Sequence, residues 1–119
     1  MNKINLPNEI PIFPLSNFII FPKTTVPLNI FETRYLDMVN DAMKSNKMIG
    51  MIQPKFSINN QDIPILYDVG CLGKIVSFKE TDDGRFLIEL KGLIRFKKTL
   101  ENKIEKKYRI LKVNFDNFY

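Results

Sequence analysis

Residues 26–45, VPLNIFETRYLDMVNDAMKS, change from a strand pattern to a helix pattern at Phe31. Before that point the apolar residues Val26, Leu28 and Ile30 recur every second position, which is typical of a strand with one buried face. After it, the apolar residues follow a longer period. This stretch therefore predicts a strand that leads directly into a helix.

The helix is predicted over about residues 32–45. Leu36, Val39 and Met43 recur at the i, i+3, i+7 spacing of one helical face, with Tyr35 and Ala42 beside them. We expect this face to pack on the neighbouring strands.

The segment before the helix is rich in proline, which interrupts hydrogen-bonded ladders and lies at strand ends and edges. The apolar stretches between the prolines predict three short strands joined by bends, at about residues 10–13, 18–21 and 26–30. The prolines of this segment are Pro7, Pro11, Pro14, Pro22 and Pro27.

The segment after the helix is predicted to be mostly strand. Residues 48–52 form an apolar run, residues 55–64 resemble an exposed loop or irregular hairpin, and strands follow from Tyr67. Gly84 supplies the positive φ of a hairpin turn, and Gly92 is expected to break the following strand. We expect a final strand near residues 108–115, and Phe78, Phe86 and Phe96 in the core.

The predicted fold class is mostly β, in the α+β sense, with one helix inserted at about 32–45. A small, bent, mostly antiparallel sheet or open barrel is the natural way to close it. The 119 residues suit a single domain, 1–119. No apolar run is long enough for a signal peptide or a membrane span, so the predicted location is cytoplasmic.

The composition argues against an enzyme. The chain has no His and one Cys, which excludes imidazole catalysis, His-ligated metals and an internal disulfide framework. Cys71 lies in a predicted strand and is expected to be an unreactive, partly buried thiol. Gly70, Gly73 and Lys74 lack the spacing of a nucleotide-binding loop. We expect no metal and no cofactor.

The positive charge is concentrated near the end of the chain. Residues 91–112 carry nine Lys or Arg against two Glu, in a chain of net charge +5. This predicts, as an alternative function, a nucleic-acid patch. The competing interpretation is a Lys-rich solvated surface, because Lys is far more frequent than Arg in this sequence. The patch residues would be Lys97, Lys98, Lys106, Lys107 and Arg109.

Several short motifs, in a fixed order, resemble the signature of the Lon protease N-terminal domain family. They are IFPL at 12–15, FPK at 21–23, VPLNIFETRY at 26–35, YDVGCLGKI at 67–75, DGR at 83–85 and GLIRF at 92–96. The resemblance covers about residues 10–113, although Lys23 and Cys71 stand where the family often has Gly and Thr.

The resemblance implies a PUA-like fold and a substrate-recognising module, in a free-standing or truncated member. By the same resemblance, we expect this chain to lack the family's usual C-terminal helical half. Most signature residues are expected to be structural, and these are Pro14, Pro22, Pro27, Glu32, Arg34, Gly70, Gly84, Gly92, Arg95 and Phe96.

Three of these expectations specify contacts. Glu32 and Arg34 would tie the start of the helix to neighbouring strands, and Arg95 would pair with an acidic group near the helix. Phe31 and Tyr35, four residues apart, would pin the helix to the sheet.

By the same resemblance, the function is to bind unfolded or hydrophobic polypeptide segments, in association with a protease or chaperone machine. The candidate surface comprises Phe21, Leu28, Phe31 and Tyr35, each of which also has a core explanation. Aromatic residues at the chain end, Phe115 and Phe118 among them, would stay exposed unless they pack back, and so could support self-association.

Overall fold

A computed structural model of the chain describes residues 6–15, 20–55, 65–101 and 108–118. The elements, in chain order, are β1 (Glu9–Pro14), β2 (Thr25–Ile30), α1 (Thr33–Met43), β3 (Met48–Ile52), β4 (Val69–Glu80), β5 (Phe86–Glu101) and β6 (Ile110–Asn114). The mostly-β class and the inserted helix are confirmed. Within the described ranges, no helix combines the length and the apolar character needed to cross a membrane.

The strands form one bent sheet in the order β2-β5-β4-β3-β1-β6, and β6 also pairs with β5. The two ends of the sheet thus approach each other without forming a regular barrel. All pairings are antiparallel except that of β1 with β3. Parallel neighbours need a long crossover, and the chain makes it here through β2 and α1.

The strand that carries Gly92 does not end there, contrary to the sequence prediction. β5 is continuous, and Gly92 pairs with Gly73 while Ile94 pairs with Leu72, so Leu93 is the extra residue of a bulge. A bulge bends a strand without ending it. The N-terminal half of β5 can therefore pair with β2, and its C-terminal end with β6.

The predicted strand at residues 18–21 is wrong for its described part, and residues 18 and 19 lie outside the described ranges. Ile20 and Phe21 lie outside the strands, and the chain turns through Pro22 and Lys23, where Lys23 has a φ of 70°. The Thr24 hydroxyl donates to the Phe21 carbonyl at 2.7 Å. The Phe21 carbonyl is thus engaged within the turn, and the chain bonds to β5 through Lys23 and Thr24, at Gly92.

The sheet is buried on both faces at its centre. Met38, Val39 and Ala42 of α1 bury one face, so the helical face predicted around Val39 is confirmed and Met38 joins it. The adjacent residues Cys71 and Leu72 belong to two different apolar clusters, one on each face. Side chains of β4 thus alternate between the faces, and consecutive residues are buried because both faces are covered.

The ends of the molecule show both confirmed and corrected predictions. The hairpin turn after β4 is confirmed, with Gly84 at a φ of 84°. Phe78, expected in the core, is 37% exposed and rests against Phe86 with ring centroids 4.9 Å apart. Phe115 is buried in the apolar cluster that contains Leu72, and Phe118 packs against the same cluster. These two aromatic residues near the chain end therefore pack back on the domain.

Candidate peptide-binding site

An apolar groove of about 340 Å³ lies where the end of β1, the strand β2 and the first turn of α1 meet. The sequence places it there because β2 leads into the helix after only two residues, 31 and 32. Its walls are formed by Phe13, Pro14, Leu15, Pro27, Leu28, Asn29, Ile30, Phe31, Glu32 and Tyr35. Three of the four predicted peptide-binding residues line this groove, namely Leu28, Phe31 and Tyr35.

The helix wall of the groove is held by an aromatic contact. The rings of Tyr35 and Phe13 lie 4.5 Å apart between centroids, at 40° to each other. Burial raises the pKa of the Tyr35 hydroxyl above its usual range, an effect that the charge of Arg34 partly opposes. Tyr35 thus contacts the sheet as predicted.

Phe31 does not pin the helix to the sheet. It is 66% exposed and lies before the helix, whose N-cap is Glu32 in extended backbone. Phe31 is therefore an exposed aromatic at the rim of an apolar groove.

The two charged residues that follow Phe31 contact each other, with Arg34 Nε 3.8 Å from Glu32 Oε2. Both side chains are mostly exposed.

One edge of the groove is the outer edge of the sheet. Among the described residues, β2 pairs only with β5. The Gly92 N–H donates to the Thr24 carbonyl at 2.8 Å, which sets the antiparallel alternation. The backbone groups of Thr25, Pro27 and Asn29 consequently point away from β5. Pro27 fits this edge because it has no N–H to leave unpaired.

The fourth predicted residue, Phe21, lies elsewhere. It is half exposed and lines a second pocket of about 250 Å³ with Ile20, Met51, Ile52, Gln53, Val69, Gly70, Cys71 and Arg95. Sequence reasoning did not foresee this pocket, because its walls come from four separate segments that only the bulged sheet brings together. Leu28 is buried, in agreement with the core explanation left open for it.

The second pocket is lined by Arg95, for which the sequence predicted an acidic partner near the helix. Arg95 makes no ion pair with a described residue, and its guanidinium lies 6.0 Å from the centre of the Phe21 ring. Arg95 is paired in register with Cys71, whose pKa burial raises to about 11. The thiol is therefore protonated and inert at neutral pH.

Several other signature residues lie at close backbone contacts, in the core, at a strand end or in a turn. A Cβ on Gly70 would meet the Met51 carbonyl oxygen at 2.5 Å, and one on Gly92 would overlap the Phe21 carbonyl. Phe96 is fully buried in the apolar cluster that contains Leu72. Pro14 ends β1 and Pro22 lies in the turn that precedes β2.

Three residues of the predicted basic patch, Lys97, Lys98 and Arg109, lie among the described residues. Arg109 forms a two-pronged pair with Glu101, at 2.6 and 2.8 Å. Lys98 Nζ lies 3.4 Å from the Leu66 carbonyl oxygen, whereas Lys97 is exposed. Lys106 and Lys107 lie outside the described ranges. The described residues contain no cluster of three or more His, Cys, Asp or Glu that could hold a metal ion.

Comparison with known proteins agrees with the fold. A Lon N-terminal domain protein from Xanthomonas campestris has a TM-score of 0.73 at 24% identity, over 90% of this chain and 59% of that chain. The N-terminal domain of the Mycobacterium avium complex Lon protease has a TM-score of 0.65 at 14% identity, over 90% of this chain and 54% of that one. Both likenesses show the fold.

Comparison of the sequence with curated relatives and with a family profile identifies the family. The Lon protease of Desulfosudis oleivorans is 30% identical over 94 residues, and that of Anaeromyxobacter dehalogenans is 28% identical over 98. These alignments cover 77% and 82% of this chain, but only 12% of each relative. The profile of the ATP-dependent protease La (Lon) substrate-binding domain matches residues 9–117. The chain therefore belongs to the family of Lon substrate-binding domains.

Proposed function

We propose that this domain holds extended, apolar segments of polypeptide substrates in the groove between β2 and α1, without itself breaking bonds. The observation that carries the proposal is the position of Phe31, an exposed aromatic beside an apolar groove and beside the edge of β2 that no other described strand covers. The family description, a substrate-binding domain, supports the same class of ligand.

The groove suits side chains of an extended segment rather than a folded element. Its volume of about 340 Å³ is at the lower end of ligand pockets, which hold roughly 300–1,000 Å³. Tyr35 and Phe13 give it a rigid aromatic wall, and Phe31 can close over an entering side chain. Burial of apolar side chains would supply most of the affinity.

The edge of β2 would supply direction and register. An added strand needs donors and acceptors along the edge, with pockets for alternate side chains. Thr25 and Asn29 offer both an N–H and a carbonyl, whereas Pro27 offers a carbonyl only. A bound segment would therefore be hydrogen-bonded on both sides of Pro27, and its side chains on one face would enter the groove.

Several features support a role in binding rather than catalysis. The sequence contains no His, and the only thiol, that of Cys71, is buried with a raised pKa. The curated relatives, of which this chain spans 12%, are Lon proteases. Delivery of the bound segment to a protease or chaperone machine is the corresponding part of this proposal.

The test is fluorescence anisotropy with an apolar peptide of about ten residues, blocked at both ends, which binds by strand addition or in the groove. We expect Phe31→Ser to weaken binding at least fivefold. The matched control is Leu100→Ser, which removes an apolar side chain of similar exposure, 57%, from β5. Equal affinities for the two variants, or no binding by the unmodified chain, would reject the groove.

A further inference from the structure

We infer that the second pocket, around Phe21 and Arg95, binds the C-terminal residue of a polypeptide, with its α-carboxylate on Arg95 and its apolar side chain between Phe21 and Val69. This inference shares with the proposed function only the class of ligand, a polypeptide. The pocket has its own walls, none of which line the groove beside α1.

Charge is the first argument. Arg95 is exposed at the mouth of the pocket and has no acidic partner among the described residues. No Asp or Glu is among the lining residues, and Lys97 lies two positions further along β5, opposite Val69. An exposed guanidinium beside an apolar hollow matches a carboxylate that is attached to an apolar group.

The floor of the pocket is the second argument. Met51, Cys71 and Arg95 are register partners across β3, β4 and β5, and the first two are buried. Because the thiol of Cys71 keeps its proton at neutral pH, the floor carries no anion that would compete for Arg95. A carboxylate that enters would meet the only formal charge of the lining residues.

The exposed apolar walls are the third argument. Phe21 is 50% exposed and Val69 is 46% exposed, although both line a pocket that also contains the buried residues Met51 and Cys71. These two side chains can cover an entering apolar group, and the Phe21 ring already lies near Arg95. Gln53, the remaining polar lining residue, carries an amide that can donate to the second carboxylate oxygen.

The dimensions of the pocket favour a chain end over an internal segment. A volume of about 250 Å³ accommodates one residue rather than a folded element. In a C-terminal residue the carboxylate and the side chain share one carbon atom, so both can lie in one small pocket. An internal segment would have to place an Asp or Glu side chain there and pass its chain in and out of the mouth.

The test compares two peptides of identical apolar sequence, one ending in a free carboxylate and one in an amide. We expect the unmodified chain to bind the free acid about tenfold more tightly, since a hydrogen bond to a charged group is worth about a factor of ten or more. Arg95→Gln should abolish the difference, whereas the control Lys97→Gln should retain most of it. Thermal unfolding of both variants establishes that they are folded.

The outcomes separate this pocket from the groove. If the discrimination between acid and amide persists in Phe31→Ser, the pocket is confirmed as a separate site. If the unmodified chain binds both peptides equally, the inference is overturned while the groove remains. A further peptide ends in Asp and carries a C-terminal amide. If it binds as tightly as the free-acid peptide, the inference is also overturned, because a side-chain carboxylate would then serve as well as the α-carboxylate of a chain end.

Discussion

The ring of Tyr35 in the first turn of α1 lies against the ring of Phe13 near the end of β1, with 4.5 Å between their centroids. These residues are far apart in sequence. Their contact joins the helix to β1, which lies near the opposite end of the strand order from β2. The same two rings form the rigid wall of the groove. The fold and the candidate site therefore share one contact.

The aromatic contact predicts a specific loss of stability. Tyr35→Ala should lower the free energy of unfolding by about 2 kcal/mol, because it removes a half-buried ring from a packed pair. Tyr35→Phe keeps the ring and should stay within about 1 kcal/mol of the unmodified chain. Urea unfolding measures both. Equal losses for the two variants would show that the hydroxyl, and not the ring, is what matters.

The close approach at Gly92 predicts that no side chain is tolerated there. Its N–H and carbonyl both bond to the turn at Lys23 and Thr24, and a Cβ would overlap the Phe21 carbonyl. Gly92→Ala should therefore cost about 2–3 kcal/mol in urea unfolding. The control is Gly84→Asn, at a positive φ with open space around it, which should cost less than about 1 kcal/mol. A mild effect at Gly92 would contradict the bulged geometry.

Cys71 should resist thiol reagents in the folded protein. Burial raises its pKa to about 11, so the thiolate fraction near pH 8 is far below that of an unfolded cysteine. We expect labelling by a disulfide reagent to be at least about 100-fold slower in buffer than in denaturant, measured spectrophotometrically. Rapid labelling of the native chain would mean that the floor of the second pocket is open.

Tyr108 should make stability depend on pH in the alkaline range. Burial and the hydrogen bond from its hydroxyl to Asp41 Oδ2, at 2.6 Å, raise the pKa of the phenol above its usual range. The folded chain then retains a proton that the unfolded chain loses above about pH 10. Stability contributed by Tyr108 is therefore complete below that pH and declines above it.

The matched variant for this effect is Tyr108→Phe, which keeps the ring. It should cost about 1–2 kcal/mol at neutral pH, and the difference from the unmodified chain should shrink as the pH rises through about 10. Chemical unfolding at a series of pH values measures it. A difference that stays constant would show that the bond to Asp41 does not control the titration.

The sequence predicted the elements with regular periods and missed those fixed by long-range pairing. The change of period at Phe31 located β2 and α1 correctly, because the alternation and the helical spacing are local. Gly92 looked like a strand break because glycine is usual at breaks. Only the opposing strand shows that a bulge keeps β5 continuous there.

For the candidate site, too, the placements that depend on local sequence were predicted correctly, and the placement that depends on long-range pairing was not. Leu28, Phe31 and Tyr35 meet in one groove because they are close in sequence, on either side of the strand-to-helix junction. Phe21 was grouped with them from its nearness in the motif, but the turn at Pro22 and Lys23 directs it to another pocket. The contact between Phe21 and Arg95 depends on how the strands pair. It could not be predicted from the sequence near either residue.

The groove is tested most directly by two-dimensional amide NMR of the isotopically labelled chain, titrated with an apolar peptide blocked at both ends. The account predicts shift changes concentrated at Asn29, Phe31, Glu32 and Tyr35, with Phe31→Ser removing most of them. Changes that cluster instead around Lys97 and Lys98, or that persist unchanged in Phe31→Ser, would contradict it.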